Sequence, residues 1–229
     1  MKPDLVRVVL LTAGWAAVTL GSYFIILAVL PGTEPMAVSL WVIALMALLV
    51  AGGVSALGWW GVVGFTPPHA WRDSAWLAVP AVLTLLPLVA GVKPLAANMY
   101  VLLIAGYALT GFAEETMFRG ILVRLLERHS PMVIAAITAI LFGLVHLSNI
   151  FIRGEPAIIA AQAVGAAAFG FGYAALRMRT NALVPLIVTH MLTDLFLQMG
   201  SLPLIPVAVV QDVVLFALGL YLLRRPAAS

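Results

Sequence analysis

The chain consists of long apolar runs separated by short joints that carry charges, prolines or glycines. A helix needs about 17–25 predominantly apolar residues to cross a bilayer. Eight runs approach or exceed that length, over residues 6–30, 36–64, 74–92, 95–118, 131–152, 156–176, 182–201 and 203–223. The pattern predicts an all-α polytopic membrane protein with about eight transmembrane helices.

Composition supports a membrane protein and excludes several kinds of site. The chain has 229 residues, of which 64% are hydrophobic and 9% charged, whereas soluble domains carry roughly a quarter charged residues. Lipid must therefore cover part of its surface. There is no cysteine, which excludes disulfides, thiolate metal ligands and cysteine nucleophiles. The net charge of +3 comes from basic residues scattered among helix ends, so we expect no nucleic-acid partner.

The distribution of Lys and Arg over alternate joints predicts the topology. One set of joints holds ten of the 12 basic residues, namely Lys2, Arg7, Arg72, Arg119, Arg124, Arg128, Arg177, Arg179, Arg224 and Arg225. The other set holds Lys93 and Arg153. Positive charge stays in the cytoplasm, so we expect both termini there, consistent with an even number of spans. The short loops favour a single integral domain in a bacterial inner membrane.

A few polar residues interrupt the predicted spans. The ionisable ones are Glu114 and Glu115 in the fourth run, His146 in the fifth, His190 and Asp194 in the seventh and Asp212 in the eighth; Asn149 and Gln162 are neutral. Each ionisable group costs roughly 2.5–3.5 kcal/mol on insertion scales, so such groups usually face a bundle interior. At 1.5 Å per residue, most of these ionisable residues lie roughly 16–24 Å from the predicted cytoplasmic ends of their spans. We therefore expect one intramembrane polar cavity, with Asp212 or Gln162 at its edge or hydrogen-bonded between helices.

The spacing of these residues predicts distinct tasks. Glu115 and Arg119 are four residues apart and so share one helical face, where they can form an ion pair. Two adjacent carboxylates resist ionising together, so the unpaired Glu114 becomes the titratable one, suited to act as a general base. His146 can share a water with Glu114. Asp194, four residues after His190, can orient that ring so that its other nitrogen donates to an oxyanion.

The same atoms also allow a metal site. Glu114, His146 and His190 form a two-histidine, one-carboxylate set of the kind that catalytic zinc uses, with Asp194 as a further ligand or an outer partner. No HExxH motif is present. Ligand types alone do not separate zinc from a carboxylate-activated water.

Three motifs together resemble a known family. EETMFR (Glu114–Arg119), FGLVH (Phe142–His146) and HMLTD (His190–Asp194) are similar, in order, to the EExxxR, FxxxH and HxxxN motifs of the CPBP family of intramembrane proteases, the CAAX-protease and bacteriocin-processing group. The resemblance covers roughly residues 95–200. Residues 94–201 are then the catalytic core, 1–93 variable N-terminal spans, and 202–229 a last span with a cytoplasmic tail.

The resemblance implies a glutamic-type endopeptidase. Glu114 and His146 would activate water, and His190 with Asp194 would stabilise the oxyanion, supported by Glu115, Arg119, Phe142 and Asn149. Asp194 stands where the family more often has asparagine, which puts a direct oxyanion role for this residue in doubt because an ionised aspartate donates no hydrogen bond.

The implied substrate is a membrane-associated protein or peptide, presented directly or by a partner. We expect no cofactor, with zinc as the alternative. A proton-coupled transporter is the competing function, since intramembrane carboxylates and histidines also build proton relays.

Overall fold

The computed structural model describes residues 3–225, and every regular element within them is helical. Lys2, which the topology count includes, and the tail residues 226–229 lie outside the described residues. The helices are α1 (Pro3–Val29), α2 (Pro35–Ala56), α3 (Trp71–Ser74), α4 (Ala78–Leu83), α5 (Ala97–Glu115), α6 (Leu122–Leu125), α7 (Pro131–His146), α8 (Ile150–Arg153), α9 (Pro156–Thr180), α10 (Val184–Met199) and α11 (Leu204–Arg224).

Six helical segments in the described chain are long and apolar enough to cross a membrane. They are α1, α2, α5 continued through α6, α7 continued through α8, α9 and α11. The apolar helix α10 is shorter, with 16 residues. The all-α polytopic membrane fold is therefore confirmed.

Two predicted runs differ from the observed helices. The run over 36–64 ends as a helix at Ala56 and continues as turns. The run over 74–92 is not one continuous helix: α4 is flanked by short 3-10 turns at Ala75–Leu77 and Leu86–Leu88. Pro80 and Pro87 lie in this stretch, and each lacks the N–H that would continue an α-helical ladder.

Helix α9 forms the centre of the bundle, packed against α7 on one side and α11 on the other. Helix α10 packs against α5, which also contacts α2, and α2 in turn contacts α1. The helices that carry the predicted polar residues are therefore neighbours. Their inward faces enclose the region between α5, α7, α9 and α10.

The loop after α2 is fastened to the end of α9. Arg177, which is buried, donates from Nε to the carbonyl of Val63 at 3.2 Å. The N–H of Leu183 donates to the carbonyl of Gly64 at 2.8 Å, and a buried ion pair joins Asp73 to Arg179 at 2.8 Å. These contacts hold the N-terminal helices against the core from which the site is built.

Candidate active site

The two adjacent glutamates end helix α5 at a change of helical type. Residues Thr116–Ile121 form a π-helical turn, in which the N–H of Leu122 donates to the carbonyl of Met117, five residues back. Such turns inside α-helices are rare and are found frequently at functional sites. Arg119 lies inside this turn, one turn after Glu115.

A glycine allows α5 to approach α10 closely at this level. A Cβ at Gly111 would lie 2.8 Å from the carbonyl oxygen of Ile187 and 3.3 Å from the nitrogen of Met191. Only a residue without a side chain permits this backbone contact. It brings the end of α5, with its glutamates, next to His190 on α10.

Glu115 is the direct partner of His190. Its Oε1 lies 2.7 Å from Nδ1 of His190, in a hydrogen bond between residues that are 75 positions apart. The same oxygen lies 3.2 Å from Nη1 of Arg119, so the predicted ion pair is formed. Oδ2 of Asp194 is 3.6 Å from Nε2 of His190. Asp194 thus lies beside one ring nitrogen of His190, and Glu115 forms the shorter contact with the other.

Arg119 is enclosed by aromatic and glycine neighbours. Its side chain is 1% exposed, and its guanidinium carbon lies 4.1 Å from the centre of the Phe142 ring. A Cβ at Gly170 would lie 2.7 Å from Nη2 of Arg119, so α9 leaves room for the guanidinium by carrying glycine there. The charge is balanced by Glu115 and by the negative face of the aromatic ring.

Glu114 and Asp194 face a more open space than Glu115. The side chain of Glu115 is fully buried, whereas those of Glu114 and Asp194 are 15% and 30% exposed. Oε2 of Glu114 lies 3.8 Å from Nε2 of His190. One carboxylate thus supports His190 from inside the bundle, while Glu114 and Asp194 flank its other nitrogen on the accessible side.

His146 is held by its own helix. Its Nδ1 lies 2.8 Å from the carbonyl oxygen of Phe142, which can only accept, so Nδ1 carries the proton and Nε2 presents a lone pair. The rings of His146 and His190 lie 4.6 Å and 6.4 Å from that of Phe142. Phe142 therefore contacts both histidine rings and forms one wall of the site. Within the described chain, His146 makes no ion-pair contact with Glu114.

Two aromatic residues that the sequence analysis did not include complete the surroundings of His190. Phe169 lies 5.0 Å from the His190 ring and stacks on Tyr173 at 4.0 Å. The hydroxyl of Tyr173 donates to Thr189 at 2.9 Å, which ties α9 to α10 beside the histidine. Their spacing of four residues indicates that Phe169 and Tyr173 share one face of α9, but it does not distinguish them from ordinary core residues.

The remaining polar residues contact one another or pack between helices. Nδ2 of Asn149 donates to Oε1 of Gln162 at 3.2 Å, which joins the residues after α7 to α9. The carboxylate of Asp212 packs against the backbone of Gly165, also on α9. The structure thus gives Asn149 and Gln162 a contact with each other, and it places Asp212 between α11 and α9.

The described residues do not present a preformed metal centre. Among residues 3–225, no group of three His, Asp or Glu side chains is arranged to hold a metal ion.

Comparison with known proteins identifies a family for the segment that carries these residues. Residues 96–196, a little under half of the chain, match the model of a family described as Rce1-like, type II CAAX prenyl endopeptidase. No curated protein and no solved structure matches the chain. The matched segment contains all three motifs, so the resemblance to the CAAX-protease group is confirmed over this segment.

Proposed function

We propose that this CAAX-type intramembrane endopeptidase, whose residues 96–196 belong to the Rce1-like family, cleaves its substrate with a water activated by Glu114 and His146. His190 would stabilise the oxyanion that forms on the scissile carbonyl. The substrate is a membrane-associated protein or peptide, reached directly or through a presenting partner. The family match is to proteases, so the transporter alternative is not developed further.

The observation that carries this proposal is the pair of contacts on His190. Glu115 accepts a hydrogen bond from Nδ1 at 2.7 Å, and Nε2 points to the accessible side, 3.8 Å from Glu114. A ring fixed in this way presents Nε2–H towards the place where a substrate carbonyl would lie beside Glu114. The carboxylates around it balance the charge of a doubly protonated imidazole, which donates from both nitrogens.

The reaction then follows from the positions of two bases. Glu114 takes a proton from water while Nε2 of His146 accepts the other water hydrogen bond, which directs a lone pair at the carbonyl carbon. The C–O bond forms, and the oxyanion accepts a hydrogen bond from Nε2–H of His190. As the C–N bond breaks, Glu114 returns its proton to the leaving amine. In this scheme the water bridges Glu114 and His146.

Asp194 serves His190 as a charge partner in this scheme. Its carboxylate lies 3.6 Å from Nε2 and is partly exposed, so it is placed beside the substrate carbonyl rather than behind the ring. An ionised aspartate accepts hydrogen bonds and donates none. We therefore assign oxyanion donation to His190 and electrostatic support to Asp194.

The arrangement of the chain in the membrane is part of the same proposal. We take residues 94–201 as the catalytic core, with 1–93 as N-terminal additions and 202–229 as the final span and tail. The chain is an integral membrane protein. Both termini face the cytoplasm of a bacterial inner membrane in this proposal, on the distribution of basic residues.

The test uses the purified full chain in liposomes with a fluorogenic peptide that ends in a prenylated CAAX sequence. Glu114→Gln removes the base while keeping the side-chain shape, and we expect at least a 10²-fold loss of cleavage because general bases contribute about 10²–10⁴. Glu127→Gln, which alters an exposed carboxylate paired with Arg124, is the matched control and retains cleavage. Cleavage by Glu114→Gln at the wild-type rate would show that the base is another residue.

Chelation tests the metal-free mechanism separately. We expect extensive dialysis against a chelator to leave cleavage unchanged. Loss of activity that zinc restores would instead assign Glu114, His146 and His190 as ligands.

A further inference from the structure

An apolar groove lies on the opposite side of the π-helical turn from His190. It has a volume of about 640 Å³ and is formed by α1, α2 and the segment from Met117 to Leu125. Its volume is within the range of roughly 300–1,000 Å³ that small-molecule sites occupy. Among the described residues that line it, Arg7 is the one ionisable side chain.

The groove has the length of one bilayer leaflet. On α1 its lining extends from Arg7 to Val18, and at 1.5 Å per residue these eleven steps span about 16 Å. Half of the hydrocarbon core, which is about 30 Å thick, has nearly that depth. The Arg7 end is also where α2 ends and where Leu57 and Trp59 line the groove, and tryptophan is typical of the membrane–water interface.

The groove and the ion pair of Glu115 with Arg119 use opposite faces of one segment. Met117 and Ile121 line the groove, whereas Glu115 and Arg119 face the interior of the bundle. Residues two apart on a helix point in nearly opposite directions. The contact between Glu115 and His190 therefore lies on the far side of this segment from the groove.

We propose that the groove binds one acyl chain of an anionic phospholipid, with the headgroup phosphate at Arg7. An acyl chain gains little by leaving other lipid tails, so selection depends on the headgroup. The Arg7 side chain is 65% exposed, and its ion pair with Asp4 is long, at 4.0 Å. An exposed pair of this kind contributes little, so the guanidinium is available for a phosphate.

Two glycines make the proposal testable without disturbing the helix packing. Gly14 on α1 and Gly53 on α2 both line the groove, and a Cβ at either meets no atom within 4 Å. Gly14→Leu or Gly53→Leu therefore fills the groove itself. Gly52, the neighbour of Gly53, is equally open but is not part of the lining, so Gly52→Leu is the matched control.

The experiment reconstitutes the wild type and each variant in vesicles of phosphatidylcholine with added phosphatidylglycerol. The protein is then extracted in mild detergent, and native mass spectrometry counts the lipids that remain bound. We expect the wild type and Gly52→Leu to keep one phosphatidylglycerol, and Gly14→Leu and Gly53→Leu to lose it. Arg7→Gln should lower the preference for phosphatidylglycerol over phosphatidylcholine about fivefold, the effect of one basic residue near a membrane surface.

Several outcomes would overturn the proposal. Equal retention of phosphatidylcholine by the wild type would indicate bulk lipid without headgroup selection. Retention by both Gly14→Leu and Gly53→Leu, or loss by Gly52→Leu, would place the lipid elsewhere. A dimer mass that the groove-filling variants abolish would identify a second copy of the chain as the occupant. None of these outcomes depends on peptide cleavage, so the lipid site and the proposed function stand or fall separately.

Discussion

Replacing Glu115 with alanine leaves Arg119 as a cation buried in the bundle without its carboxylate. Arg119 is 1% exposed and Glu115 is fully buried, and the 3.2 Å contact between them is the ion pair that the change removes. Breaking a buried pair by removing one partner costs about 3–5 kcal/mol. In a chain of this size, 1 kcal/mol corresponds to about 2–4 °C, so we expect Glu115→Ala to lower the melting temperature by roughly 6–20 °C.

A second substitution separates the two roles of Glu115, which are to pair with Arg119 and to accept the hydrogen bond from His190. Arg119→Met in the Glu115→Ala background removes the stranded charge and fills its volume, and we expect it to bring stability back to within about 1–2 kcal/mol of the wild type. Cleavage should not return, because His190 still lacks the partner of its Nδ1. A misplaced catalytic group costs about 10²-fold, and this loss should appear in kcat.

The assay is thermal unfolding of purified protein in detergent, measured alongside cleavage of the prenylated peptide in liposomes. Glu114→Gln is the control, because the partly exposed Glu114 is not the ion-pair partner of Arg119. This variant should lose cleavage while its free energy of unfolding stays within about 1 kcal/mol of the wild type. If the double variant remained as unstable as Glu115→Ala, or regained cleavage, the assignment of both tasks to Glu115 would be refuted.

Three further predictions concern the surroundings of this pair. Gly170→Ala places a Cβ 2.7 Å from Nη2 of Arg119 and 3.1 Å from Cδ1 of Phe142, and it should lower stability by about 1–3 kcal/mol in the same melting assay. Phe142→Leu removes the ring 4.1 Å from the guanidinium and should lower stability by about 2 kcal/mol, with reduced cleavage; unchanged melting would contradict the cation–π contact. His146→Gln should reduce cleavage by at least 10²-fold with little change in melting temperature, and normal cleavage would remove His146 from the mechanism.

Much of the candidate site followed from local spacing and membrane depth. The ion pair of Glu115 with Arg119 and the position of Phe142 beside His146 are contacts at a spacing of four residues, which helical geometry fixes. The hydrogen bond from His190 to Glu115 joins residues 75 positions apart, and it depends on how α5 and α10 are rotated against each other. Depth along a helix is readable from sequence, but this rotation depends on packing, so the sequence did not indicate that Glu115 contacts His190.

The fold, too, was only partly predicted from the sequence. Hydropathy located the long helices because length and composition decide whether a segment can span a bilayer. Hydropathy did not indicate that the helix is interrupted near Pro80 and Pro87, since a proline does not break an apolar run. The π-helical turn at Thr116–Ile121 carries no proline, and Arg119 and Gly120 within it do not by themselves indicate a change of helical type.

That turn has a consequence for changes of chain length. Closing its hydrogen bond over five residues instead of four adds one residue between α5 and α6 relative to a continuous α-helix. Deleting one residue within the turn would therefore return the segment to a regular α-helix and leave the faces of α5 and α6 close to their present relation, because the wide turn is what absorbs the extra residue. Deleting a residue inside α5 would instead rotate the part of α5 before the deletion by about 100° relative to α6. The segment should therefore accept the loss of one peptide unit within Thr116–Ile121 more readily than the same loss inside α5.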